Sequence, residues 1–243
     1  MFGYALTPAS ALVLGLASLA LVFEAGRRAR WAAPLSDHLR WALATAFVLL
    51  GHRMTVRLGS GLELHYLGSA FLALLLGYPR ALVSMGLVLA IECVWPAGGV
   101  GASAAGSDGL SAAGAAAGAA LDLGGLSTWG LRVLLSAVLP VWSMWMIVMA
   151  CKRWLPRNPF VFLLGCGLIG LFLSYALQLL GTAFAYAVLV PAIPRGFWED
   201  FVPYALLLAT GEAWLEGMLT TLLVVYVPGS VRLFDEGFYL RRP

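Results

Sequence analysis

The chain has 243 residues, of which 61% are hydrophobic and 11% charged, with a net charge of +3. A soluble domain carries about a quarter charged residues, so this composition points to an integral membrane domain covering 1–243. It also argues against a soluble enzyme with an anchor. Nucleic-acid binding is excluded, because no basic face or recognition motif occurs.

Taken in order, the apolar runs predict about seven spans, at 4–23, 39–56, 62–78, 80–95, 129–150, 160–190 and 202–227, against a bilayer core of about 30 Å. The expected fold class is therefore all-α and polytopic. Arg27, Arg28 and Arg30 follow the first run, and nothing basic precedes it, the reverse of a cleavable signal. The sixth run carries Gly165, Gly167, Gly170 and Gly181, which predict a kink or break and close helix approach. Placing the N-terminus outside puts Arg27, Arg28, Arg30, Arg40, Arg80, Lys152, Arg153, Arg157, Arg232, Arg241 and Arg242 inside, leaving Arg53, Arg57 and Arg195 outside. That is the positive-inside bias and predicts N-out, C-in. Residues 97–127, rich in Ala, Gly and Ser, then form an outer loop. Asp108 and Asp122 are its only charges, too few for a cation cage. Cys93, Cys151 and Cys166 form neither a CxxC pair nor a disulfide framework and read as small core residues.

Ionisable groups within spans are costly and mark substrate or ion paths. At about 1.5 Å per residue, His65, Glu92 and Arg132 each lie about three residues from the outer end of a predicted span, in one shallow layer. Glu92 and Arg132 are expected to pair, since an isolated charge there costs several kcal/mol. Glu212 and Glu216 sit mid-span, four residues apart on one helical face. Two carboxylates so close in a low dielectric cannot both stay ionised without a counter-charge. They read either as a cation path or proton relay, or as carboxyls that fix helix packing.

His65 is the candidate metal ligand, because neutral imidazole suits nickel, cobalt, zinc and copper; otherwise it bonds a neighbouring backbone. His38 is out of reach on the inner side. His52, Met54, backbone nitrogens or the α-amine of Met1 are the possible co-ligands. An intramembrane enzyme finds no support, as HExxH and GxSxG are absent. No GxxxxGK[ST] occurs either, so the chain is not itself a P-loop ATPase.

His65-x-x-Gly68 followed by Gly77-x-Pro79 resembles the CbiM/NikM family, the substrate-binding membrane subunits of energy-coupling factor transporters. There a His-Pro-Thr-Gly stretch opens the corresponding helix and Phe-Gly-Pro closes it. Glu216-Gly217-Met218-Leu219-Thr220 is similar to that family's Glu-Gly-x-x-Thr. Asn158-Pro159-Phe160-Val161-Phe162 and the ending Val224-Val225-Tyr226-Val227-Pro228, with Phe234-Asp235 and Tyr239-Leu240, look like a divergent proteobacterial branch.

The resemblance implies a seven-span, N-out protein of the bacterial inner membrane. It implies a transported divalent cation of the cobalt or nickel kind, no tightly bound cofactor, and two kinds of partner: a coupling membrane subunit and cytoplasmic ATPases. It carries His65 over as a metal ligand. Nickel and cobalt members begin Met-His, and their N-terminal amine, a backbone nitrogen and that histidine join the site. Here Phe2 and Tyr66-Leu67 replace the family residues. The alternative is a non-transporting accessory protein that keeps the fold without a complete metal site.

Overall fold

The computed structural model describes residues 8–29, 31–53, 55–57, 63–94, 123–189 and 197–239; at 8, 55–57, 63–65, 123–127, 186 and 200 it describes the backbone alone. Helix α1 (Pro8–Arg28) starts on a proline, whose missing N–H costs nothing at a first position. It ends on Arg27 and Arg28, which pair back to Glu24 at 3.8 and 2.8 Å. Leu12, Leu16, Leu19 and Phe23 are exposed, the expected lipid face of a span. Ser18 is buried and its Oγ donates to the Gly130 carbonyl at 2.6 Å.

Helix α2 (Leu35–Arg53) leads into an antiparallel hairpin of β1 (Thr55–Arg57) and β2 (Glu63–His65). Its register pairs Thr55 with His65, Val56 with Leu64 and Arg57 with Glu63. Helix α3 (Ser69–Leu76) and helix α4 (Tyr78–Val94) follow. Helix α5 (Leu123–Val133) runs through a π-helical segment, Leu134–Val138, into α6 (Leu139–Trp154). A longer π-helical segment, Val161–Gly170, leads into α7 (Leu171–Leu189). Helix α8 (Phe197–Tyr226) precedes a tail with a 3-10 turn, Pro228–Ser230, and the short α9 (Glu236–Tyr239).

Among the described residues, four helical segments are long and apolar enough to cross a membrane: Ala9–Arg28, Thr128–Trp154, Val161–Leu189 and Phe197–Tyr226. Around them the chain is a helical, multi-pass membrane protein. Residues 97–122 of the expected outer loop lie outside the described residues, and 123–127 already belong to α5.

The largest departure from expectation is the third predicted span, 62–78. It is a strand through His65, a short non-helical stretch from Tyr66 to Gly68, and a helix of only eight residues. Gly68 and Gly77 bracket that helix with φ of 63° and 77°, a left-handed backbone that favours glycine. At about 1.5 Å per residue, α3 is far too short to span. It is instead a core helix: Ser69 to Leu74 and Leu76 are all buried, against α4, α6, α7 and α2. Its last carbonyls, orphaned by the stop at Gly77, are taken by the tail. Arg232 N–H donates to Leu75 O at 3.1 Å and Leu233 N–H to Leu74 O at 3.2 Å.

The glycines of 160–190 neither break nor interrupt the helix. Their stretch is π-helical from Val161 to Gly170, a wide turn that re-aims backbone carbonyls. A Cβ at Gly217 would stand 2.5 Å from the Gly167 carbonyl oxygen, so glycine lets α8 seat directly on this segment.

Candidate functional site

Non-helical backbone at membrane depth persists only where protein supplies its hydrogen-bond partners. Tyr66-Leu67-Gly68 is such a stretch, and the polar residues singled out in the sequence converge on it. Glu212 receives the Leu67 N–H on both carboxylate oxygens, at 3.0 and 2.9 Å. His52 Nε2 lies 3.2 Å from the Leu67 carbonyl, and its Nδ1 lies 2.7 Å from Glu92 Oε1. The other Glu92 oxygen accepts from Arg132. The two peptide groups flanking Leu67 are thus held by α8 through the N–H and by α2 through the C=O, and α4 and α5 back up the α2 contact.

One step along, the Tyr66 hydroxyl donates to Glu216 Oε1 and the Tyr175 hydroxyl to Glu216 Oε2. Tyr175 Oη in turn accepts the Phe71 N–H at 3.2 Å, and Ser69 Oγ donates to Gln178 Oε1 at 3.1 Å. Phe71 and Ser69 lie in the first turn of α3, where N–H groups lack helical partners. Tyr175 on α7 meets that need for Phe71, and Gln178, one turn along α7, takes the Ser69 hydroxyl. Tyr66 itself lies against Gly51, where a Cβ would stand 2.3 Å from Tyr66 Cδ1, and edge-on to Phe47 at 5.9 Å. Glu212, Glu216, Tyr175 and Gln178 are all buried. Each carboxylate therefore answers a buried donor, which is how a buried acidic group is stabilised.

Glu212 and Glu216 meet around the Tyr66-Leu67 dipeptide, and Glu92 and Arg132 meet with His52 added. His65 ends β2 on the strand side of the same dipeptide; its side chain and Met1 lie outside the described residues. Among the described residues no three His, Cys, Asp or Glu side chains gather to hold a metal ion. Sequence reasoning overlooked Tyr175, Gln178 and Ser69. Tyr175 and Gln178 carried a legible signal, since they are polar groups three apart in an otherwise apolar span.

The opposite end of α2 and α4 has its own polar contact. Trp41 Nε1 donates to Ser84 Oγ at 2.7 Å, and Arg80 lies over the Trp41 ring at 5.1 Å. That end and the His52–Glu92 end mark the two faces of the bundle.

Residues 3–119 match the CbiM family, described as the cobalt uptake substrate-specific transmembrane region. A search of curated proteins finds no match. Two solved structures share the fold. A transition metal transporter aligns over 99% of this chain and 98% of its own, with TM-score 0.65 and 18% identity. A truncated transition metal transporter aligns over 93% and 96%, with TM-score 0.62 and 19% identity. The chain is thus similar to the CbiM family over residues 3–119, and its fold is that of the two transition metal transporters.

Proposed function

We propose that the chain is the substrate-binding membrane subunit of a metal uptake system, taking a divalent transition-metal cation of the cobalt or nickel kind. The observation that carries this reading is the family match over residues 3–119, the segment holding His65. The hydrogen-bonded hold on Tyr66-Leu67 supports it, because a ligand is useful only if its backbone is fixed. The proposed ligands are the His65 imidazole and the Met1 α-amine. Glu212 and Glu216 serve packing: each accepts from groups of the Tyr66-Leu67 stretch. Energy comes from separate partners of the energy-coupling factor type, a coupling membrane subunit and cytoplasmic ATPases, and the protein resides in the inner membrane of a proteobacterium.

The imidazole must be neutral to bind, so metal binding is expected to weaken as pH falls through about 6.5. His65→Ala should abolish saturable binding of cobalt, nickel, copper or zinc to protein purified in detergent, with folding unchanged. Binding by the variant equal to the wild type, or none by the wild type, sinks the metal reading. Phe2 favours the second reading, an accessory protein with an incomplete site. Phe2→His should raise nickel or cobalt affinity if an imidazole there completes the site.

The proposed orientation is N-out and C-in, on the arginine distribution. A reporter fused after Pro243 should be active only in its cytoplasmic form, and a periplasmic signal would reverse the scheme.

A further inference from the structure

We propose that His52 is a positioning residue for cation binding: it grips the Leu67 carbonyl and thereby sets the backbone that carries His65, without itself touching the metal. The inference rests on the reading of His65 as a ligand, and it goes beyond that reading by assigning His52 a distinct task.

The His52 side chain is fully buried at the end of α2. Both its nitrogens face acceptors, the Glu92 carboxylate and the Leu67 carbonyl. Each nitrogen lies within hydrogen-bond distance of its partner, so the ring is engaged on both sides and turns neither nitrogen toward open space. Glu92 is pinned in its turn by Arg132, which ties the grip to α4 and α5.

Tyr66 and Leu67 precede α3, whose first regular bond is Leu72 N–H to Gly68 O. Leu67 is instead held by Glu212 on its N–H and His52 on its C=O, and Tyr66 through its hydroxyl on Glu216. His52 and Leu67 are fifteen residues apart, and between them lies the hairpin in which Thr55 opposes His65. The contact therefore closes a ring of chain at the base of the hairpin, beside the Glu212 bond to the Leu67 N–H and the Tyr66 bond to Glu216. In an extended chain a shift at Leu67 passes directly to His65, two residues before it.

His52→Leu removes both ring contacts. His52→Gln keeps an amide nitrogen with two hydrogens, able to donate to both partners. Hydrogen exchange of metal-free protein in detergent, read on peptides covering 63–70, reports the grip directly. His52→Leu should speed exchange there about tenfold, the change worth one hydrogen bond of ordinary net strength, while His52→Gln should stay near the wild type. Cobalt(II) titration of the same three proteins should show affinity about 10- to 100-fold weaker for His52→Leu, the range for residues that orient a metal ligand, with His52→Gln largely restored. X-ray absorption at the cobalt edge should count the same number of imidazoles in all three.

Unchanged exchange in His52→Leu overturns the grip whether or not cobalt binds. One imidazole fewer in His52→Gln overturns the positioning role and makes His52 a ligand. If the wild type binds no cobalt, the metal reading fails and the role in cation binding falls with it. Faster exchange in His52→Leu would then separate that failure from failure of the grip.

Discussion

Gly130→Ala is expected to part α1 from α5, while Gly15→Ala, on the facing helix, leaves it in place. A Cβ at Gly130 would stand 2.5 Å from Gly15 N, 2.5 Å from the Leu14 carbonyl carbon and 2.7 Å from Gly15 Cα. These are backbone atoms, so no rotamer change relieves the overlap and the helices must move apart. A Cβ at Gly15 would meet nothing within 4 Å. Overpacking a tight contact costs about 1–3 kcal/mol, and separation also breaks the Ser18 bond to the Gly130 carbonyl. Helix α1 also packs on α4, with Ala25 and Ser18 buried, while Leu12, Val13, Leu16, Leu19 and Phe23 face outward, so the Gly130 contact governs the α1–α5 side of its seat. Helix association in lipid depends on such close small-residue packing. Thermal unfolding in detergent should show a clear loss for Gly130→Ala and almost none for Gly15→Ala. A cysteine pair placed across the α1–α5 contact should lose crosslinking only in the former. Equal stability of the two variants would refute this account of the interface.

Replacing Glu216 by leucine is expected to be severe, and replacing it by glutamine mild. The carboxylate receives hydroxyl hydrogens from both Tyr66 and Tyr175. Leucine strands two buried hydroxyls, at about 1–3 kcal/mol for each unsatisfied group. It also loosens Tyr175, which accepts the Phe71 N–H at the start of α3. Glutamine keeps one acceptor and adds donors that a tyrosine oxygen can accept, so the network closes again with a different hydrogen order. Melting temperatures in detergent should rank wild type and Glu216→Gln together, well above Glu216→Leu. A glutamine variant as unstable as the leucine variant would mean that charge, not hydrogen bonding, holds the site.

The contrast between those variants reflects what sequence can and cannot carry. Hydropathy alone determined the membrane class and the long helices near 4–23, 129–150, 160–190 and 202–227, since a bilayer demands about 20 apolar residues wherever a helix crosses. The cost of an unpaired charge was enough to anticipate that Glu92 and Arg132 belong together, because each is the other's cheapest counter-charge at that depth. The motif around His65 carried the family resemblance. What one dimension did not contain was the purpose of the other polar groups. Window hydropathy counts 62–78 as a span because its side chains are apolar, and it is blind to the backbone. Only the fold decided that Gly68 and Gly77 adopt positive φ, that the helix between them has eight residues, and that its approach is non-helical. Such a backbone leaves N–H and C=O groups that water cannot reach. The side chains that satisfy them come from 15 to 145 residues away, His52 to Leu67 and Leu67 to Glu212. The glycines Gly165, Gly167 and Gly170 marked the irregular stretch at 161–170 but not its π-helical form, and the π-helical turn at 134–138 had no such mark.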